Sequence, residues 1–202
     1  SGIFTEDVGA GAIFEMSRIL TAFYNDLPEE FLTFNPSTVN GGTTINFDEM
    51  QSKGYAFGKD NIVPRETIVH GDIRCLTNEQ IDATVAKMKA IVSSNHLPKT
   101  NASIRFDLKY PPMKPTSGNY KVLKVLDEVS QAMGQGAVEA YDPGKRGAGD
   151  ISFVAEYVDG LDGLGTMGGG SHTPKEYMDL DHFKDLTKRA ALLIYRLINS
   201  KS

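Results

Sequence analysis

The run Pro111-Pro112-Met113-Lys114-Pro115-Thr116 constrains this chain more than any other feature. Proline has no amide donor and pushes the residue before it out of the α region, so neither a helix nor a central strand runs through such a segment. The chain therefore reads as two units, residues 1–113 and 114–202. Its 202 residues leave room for a core in each.

The first unit alternates helical and strand patterns. From Asp7 to Leu27, Ala10, Ile13, Phe14, Ser17, Leu20 and Phe23 or Tyr24 recur at three and four positions, which predicts a helix with that stripe inward. Gly9 and Gly11 weaken its first turn and point to close packing against a neighbour. Leu32 to Asn35 reads as a short strand, Asn40-Gly41-Gly42 as a turn, and Tyr55 to Gly58 as a strand. Thr67 to Cys75 is a clearer strand, with largely alternating apolar residues. Thr77 followed three residues on by Gln80 has capping-box spacing, and Ile81, Val85, Met88 and Val92 carry the helix to about Ser94. Ser103 to Tyr110 alternates as a strand with one wet face. One sheet with two helices on one face, an α+β sandwich, satisfies this order.

Beyond the prolines, Tyr120 to Met133 reads as an amphipathic helix and Ala137 to Ala140 as a short strand. Gly144 to Asp150 forms a loop, and Asp150 can cap a helix through Tyr157. Leu164 to Met167 fits a strand, Gly168-Gly169-Gly170 a loop, and Leu180 to Ile198 a long closing helix. Short strands among helices make this half α/β.

Composition removes several function classes. A net charge of −5 and no basic cluster leave no electrostatic footprint for nucleic acid. No apolar run approaches the roughly 18 residues that cross a bilayer, so no membrane partner is expected. Cys75 is the single cysteine and cannot form an internal disulfide. The reading is a soluble protein, cytoplasmic or periplasmic, with the compartment open because the chain starts at Ser1 without a methionine. There is no GxSxG, CxxC, HExxH, P-loop or Rossmann glycine pattern, which argues against serine-hydrolase, zinc-finger and nucleotide-binding readings.

Four histidines are present. His70, His96 and His182 read as packing or surface residues. His172 differs, because it follows three glycines and precedes Thr173-Pro174, a setting in which backbone can approach a ligand closely. Arg146, beside glycines ahead of Asp150, is placed to fork onto a carboxylate, although local sequence alone favours a solvated loop charge and a plain cap at Asp150.

Several motifs then occur in a familiar order. They are Gly9-Ala10-Gly11-Ala12-Ile13-Phe14-Glu15, Leu32-Thr33-Phe34-Asn35-Pro36, Asn40-Gly41-Gly42-Thr43, Asn61-Ile62-Val63-Pro64, Gly71-Asp72-Ile73-Arg74, Arg146-Gly147-Ala148-Gly149-Asp150 and Gly168-Gly169-Gly170-Ser171-His172-Thr173-Pro174-Lys175-Glu176-Tyr177. Together they resemble the C-terminal half of the zinc-dependent aminoacylase/carboxypeptidase family, which includes glutamate carboxypeptidase, acetylornithine deacetylase, succinyl-diaminopimelate desuccinylase and peptidase T. The resemblance implies a ferredoxin-like lid or dimerisation domain over 1–113, and the C-terminal segment of an α/β zinc-peptidase catalytic domain over 114–202. It implies a homodimer formed through the lid, and hydrolysis of a peptide or N-acyl amino acid with a free carboxylate.

By the same resemblance His172 is a zinc ligand and Arg146 clamps the substrate carboxylate. Asn61 assists from the lid, and backbone amides around Gly168 and Gly169 help hold the carboxylate. The family uses two zinc ions. Its His-x-Asp pair, bridging aspartate, Glu-Glu pair and next acidic ligand would all precede Ser1, as would the lid histidine that reaches across the dimer. Ala148 and Gly149 stand where the family has glycine and a small polar residue. The expectation is a hydrolase of which these residues are a truncated or proteolysed part, inactive alone and with no catalytic residue of its own. A non-catalytic dimerisation or binding module is the alternative.

Overall fold

The computed structural model describes residues 8–145 and 147–199. The chain divides into two compact units, Ser1–Pro112 and Met113–Ser202.

In the first unit, helix α1 spans Ala12–Asp26. Gly9 and Gly11, with φ of 74° and 84°, lie ahead of it rather than in its first turn. A Cβ on Gly11 would meet Val63 Cγ1 at 2.7 Å, and the Ala12 amide donates to the Pro64 carbonyl at 3.0 Å. Close packing is thus the use of this glycine. Gly11→Ala is expected to cost about 1–3 kcal/mol, from a backbone region nearly closed to L-residues plus the clash. An unchanged urea midpoint would contradict it.

The helical period of α1 is as read, but of the expected stripe only Leu20 and Phe23 reach the core. Ile19, Phe23 and Leu27 enter the core together with Glu15, four residues before Ile19. Ile13, Phe14, Ser17 and Tyr24 of the expected inward stripe are exposed, Phe14 at 68% and Tyr24 at 76%. Glu15 can occupy a core position because its charge is met from three directions, and that removes the usual penalty on burying a carboxylate.

Strand β1, Thr33–Gly42, runs antiparallel to a second long strand, Glu66–Arg74, with Phe34 opposite Ile73 and Gly41 opposite Thr67. Between them in sequence, β2 (Thr44–Asp48) and β3 (Lys53–Phe57) form a hairpin, so Glu66–Arg74 is β4. Asn40-Gly41-Gly42, expected as a turn, is the end of β1. The glycines serve close approach, since a Cβ would lie 2.9 Å from Ile13 Cγ1 at Gly41 and 2.7 Å from the Phe57 carbonyl oxygen at Gly42. The register slips between Pro36 and Thr38, a bulge at Ser37 whose hydroxyl donates to the His70 carbonyl at 3.1 Å.

Helix α2, Asn78–Ser93, starts as its capping signal indicates. The Gln80 amide donates to Thr77 Oγ1 at 3.0 Å, while the Gln80 side-chain oxygen accepts from the Leu76 amide at 3.0 Å. Met88 and Val92 close the core on α1, and Phe34, Ile73, Ile104 and Phe106 pack against the same cluster. Segment 103–110 carries no strand ladder among the described residues, which departs from expectation. Its alternation nevertheless survives, with Ala102, Ile104 and Phe106 on the core side. The result is a mixed α/β fold, with antiparallel strands and two helices sharing one core.

In the second unit, α3 (Ser117–Ala132) is capped by Thr116 Oγ1, which accepts from the Asn119 amide at 3.1 Å. Residues 137–140 form no strand; the Val138 amide instead donates to Asp127 Oδ1 at 2.8 Å. The helix expected from Asp150 to Tyr157 is a 3-10 turn over Asp150–Phe153, with Gly149 at its cap and only turns beyond. Leu164 to Met167 is not a strand. The pairing falls one step later, on β5 (Gly168–Gly169) against β6 (Tyr177–Met178). Helix α4, Leu180–Asn199, closes the unit and packs on α3 with Leu193 buried.

Candidate functional site

Three sequence candidates of the second unit, Gly168, Gly169 and His172, lie on the β5–β6 hairpin. Gly168 lies opposite Met178 and Gly169 opposite Tyr177. Neither position has room for a side chain: a Cβ on Gly169 would be 2.9 Å from the Tyr177 ring, and one on Gly168 would strike the Tyr177 backbone. The connecting turn is held by the Thr173 amide, which donates to the Gly170 carbonyl at 3.0 Å, and by the Thr173 hydroxyl, which donates to the same carbonyl at 2.6 Å. Within it, His172 takes a left-handed φ of 64° and is exposed. Such a backbone conformation is uncommon for a side chain of this size, and here it presents the imidazole outward next to two strand glycines. Asp179, just after β6, donates its amide to the Met167 carbonyl at 2.8 Å and accepts from the Asp181 amide at 3.0 Å. Its other oxygen lies 2.7 Å from His182 Nδ1, and these contacts, that to His182 foremost, hold its carboxyl below the ordinary range.

Asn61 belongs to the first unit, on the exposed turn between β3 and β4, where the Ile62 amide donates to the Lys59 carbonyl at 3.0 Å. Arg146 lies outside the described residues. Three residues further on, Gly149 is pressed by the Asp162 carboxylate, which occupies the space a Cβ would take.

The sequence reading missed the most elaborate electrostatic arrangement of the molecule. Glu15 is 2% exposed. Arg18 Nη2 donates to its Oε1 at 2.7 Å, and the Leu97 amide donates to Oε2 at 2.9 Å. His96 Nδ1 lies 2.8 Å from Oε1, where a donating Nδ1–H is the partner an ionised carboxylate requires. Arg18 also reaches the Ile91 carbonyl from Nη1 and Nη2 at 3.3 Å. Arg18 above all, then the Leu97 amide and His96, hold the Glu15 pKa at about 2 against the opposing effect of burial. The node ties α1 to the end of α2 and the loop after it. A signal was available: a glutamate four residues before Ile19, in line with Phe23 and Leu27, is a charge at a core position that must find partners.

Among the described residues no three His, Cys, Asp or Glu side chains come together as a metal site, and no helix is long and apolar enough to cross a membrane. Cys75 is partly buried, which raises its thiol pKa.

Residues 5–101 match the peptidase dimerisation domain family. Aminopeptidase PepT from Bacillus cereus ATCC 10987 has a similar fold, with a TM-score of 0.66 over 94% of this chain at 18% identity. The present chain spans 46% of that structure, less than half its length. No curated protein matches the chain.

Proposed function

We propose, for a chain whose residues 5–101 match the peptidase dimerisation domain family, that it is the C-terminal half of a zinc-dependent metallohydrolase that cleaves a peptide or N-acyl amino acid bearing a free carboxylate. The observation that carries this reading is the reach of the fold likeness. It covers 94% of the chain and so extends well past the dimerisation domain into the unit that bears the β5–β6 hairpin. The ordered motifs of the sequence give the reading its chemistry. His172 serves as a zinc ligand, Arg146 clamps the substrate carboxylate, Asn61 assists it, and the amides at Gly168 and Gly169 complete its cradle. The exposed imidazole beside two strand glycines suits such a role, because it leaves space for a ligand and substrate above the hairpin.

The donor set of the described residues does not by itself fit a zinc pair, since His172 has no second and third ligand near it. Any catalytic zinc therefore depends on polypeptide beyond these residues, and the 202-residue chain is inactive alone. In the longer enzyme, His172→Ala is expected to lower bound zinc by about one ion per subunit and to abolish turnover, as loss of one of about four ligands does. Unchanged metal content by elemental analysis would remove His172 from the ligand set.

A second reading, a non-catalytic dimerisation module, draws on the same lack of a three-ligand cluster. The encoded open reading frame and the intact mass of the purified protein separate the two. The enzyme reading expects upstream His-x-Asp and Glu-Glu motifs, and hydrolysis by the longer product. A start codon immediately before Ser1, with no hydrolysis, would establish the module. On either reading the first unit forms a homodimer.

A further inference from the structure

The two faces of the β2–β3 hairpin differ in use. Its inner face is spent on the fold: the Phe47 ring lies 4.6 Å from that of His70, centroid to centroid, and Gly54 leaves a space that Asn40 fills. Its outer face sets Asn46 opposite Tyr55 and Asp48 opposite Lys53, all exposed. Opposite charges directly across an antiparallel pair ordinarily bind each other. Here each is engaged elsewhere. Asp48 Oδ1 accepts from the Met50 and Gln51 amides at 2.9 Å and 3.1 Å, which closes the turn. The Lys53 ammonium stands over the Tyr55 ring, 5.5 Å from its centroid. Both charges line a shallow cavity of about 260 Å³, with Asn46, Gln51 and Tyr55 as its other walls. The neighbouring Glu49 is taken by Arg105 at 2.7 Å, so the cavity keeps one carboxylate and one ammonium.

We propose that this cavity is a site for a free α-amino acid, held as its zwitterion. The argument is charge complementarity. An α-amino acid carries an ammonium and a carboxylate on one carbon, and the cavity offers the opposite of each. The ligand's ammonium meets the Asp48 carboxylate, whose Oδ2 accepts no hydrogen bond among the described residues. Its carboxylate meets the Lys53 ammonium, and its side chain lies against the Tyr55 ring. The amides of Asn46 and Gln51 supply neutral donors and acceptors. A plain anion gains Lys53 but meets Asp48, and a plain cation does the reverse, so the pair of charges selects against both. The volume falls below the roughly 300–1,000 Å³ of sites for drug-sized ligands, which suits a single amino acid better than a peptide. Both ion pairs are exposed and individually weak, so the expected dissociation constant is about millimolar. The site lies in the first unit and uses neither metal nor hydrolysis, so it stands without the proposed hydrolase. On that reading, however, its ligand belongs to the class that the reaction releases.

Titration of the 202-residue chain with L-leucine, followed through its amide chemical shifts, tests the site. Saturable shifts are expected in the hairpin, residues 44–57, at about millimolar ligand. Isocaproate, which lacks the ammonium, and isoamylamine, which lacks the carboxylate, are each expected to bind at least about tenfold more weakly. Asp48→Asn keeps an oxygen for the turn amides and loses the charge, while Lys53→Gln removes the other charge. Each is expected to weaken L-leucine about fivefold or more, with the remaining amide spectrum unchanged as the control for folding. No saturable shift in residues 44–57 would overturn the site. Equal binding of isocaproate or isoamylamine would overturn the zwitterion, and binding that survives both substitutions would overturn the assignment to Asp48 and Lys53. Failure of the hydrolase reading leaves every one of these shifts in place, so the two are judged separately.

Discussion

Glu15→Ala is expected to destabilise the first unit by about 3–5 kcal/mol, the scale for removing one partner of a buried charge pair. The substitution leaves the Leu97 amide, His96 Nδ1 and the Arg18 guanidinium facing a void, and Arg18 has only the Ile91 carbonyl in its place. For a small domain this is a large share of total stability. The same node makes stability depend on pH, with a definite sign. The Glu15 pKa is lowered from 4.5 to about 2 in the folded chain, so the unfolded state binds the proton more tightly. Stability from this group is therefore complete above about pH 4.5 and is lost as pH falls towards 2. Its size is about 3 kcal/mol, from the shift at about 1.4 kcal/mol per unit. Urea unfolding at pH 5.5 and pH 2.5 checks it. Glu15→Gln should show a drop between those pH values smaller by about that amount, and an equal drop in both proteins would mean that other groups govern acid unfolding.

On the proposed hydrolase reading, Arg146→Ala in a longer protein that contains this chain is expected to lower kcat/KM by about one and a half to four decades for a substrate with a free carboxylate. A buried bidentate contact of this kind contributes roughly 2–5 kcal/mol. The control lies in the substrate. With its carboxylate amidated the contact is already missing, so wild type and variant should differ little. Equal damage on both substrates would make Arg146 structural or directly catalytic and end its assignment as a clamp.

The elements that proved legible in the sequence are those with a local chemical signature. Thr77 accepts the Gln80 amide and α2 runs as expected, whereas Thr116 caps α3 in the same way without having been read, so that helix begins at Ser117 rather than at the expected Tyr120. Misreadings arose where one residue type serves two purposes. Gly41 and Gly42 look like a turn, yet they lie in a strand because Ile13 and Phe57 leave no room for a Cβ, a fact set by residues far away in sequence. On α1 two apolar stripes compete, and the winning one contains a glutamate. Counting hydrophobic residues misses it, because the decision is made by Arg18, His96 and the Leu97 amide together. Val138 and its neighbours have strand composition but spend an amide on Asp127. The His172 turn was visible from its glycines, whereas the pairing of Gly168 and Gly169 with Tyr177 and Met178 was not.

The bulge at Ser37 governs how this unit can change in length. On its near side Phe34 and Ile73 look to the helices. Past it the parity of β1 is exchanged: Gly41 lies under Ile13, while Asn40 and Gly42 look the other way, onto Gly54 and Phe57 of the β2–β3 hairpin. Both surfaces of the distal ribbon are thus occupied, and each admits only its own set of residues. Losing Ser37 would join the Pro36–Gly71 pair directly to Thr38–His70, a regular ladder that still leaves Gly41 beneath Ile13. A single-residue insertion between Thr38 and Gly41 would instead put a side chain beneath Ile13, where none fits, and should be rejected in any related or shuffled sequence, whereas loss of the bulge residue should be tolerated. Changes of two residues, or in the exposed turn at residues 49–52, keep the alternation and remain open to variation.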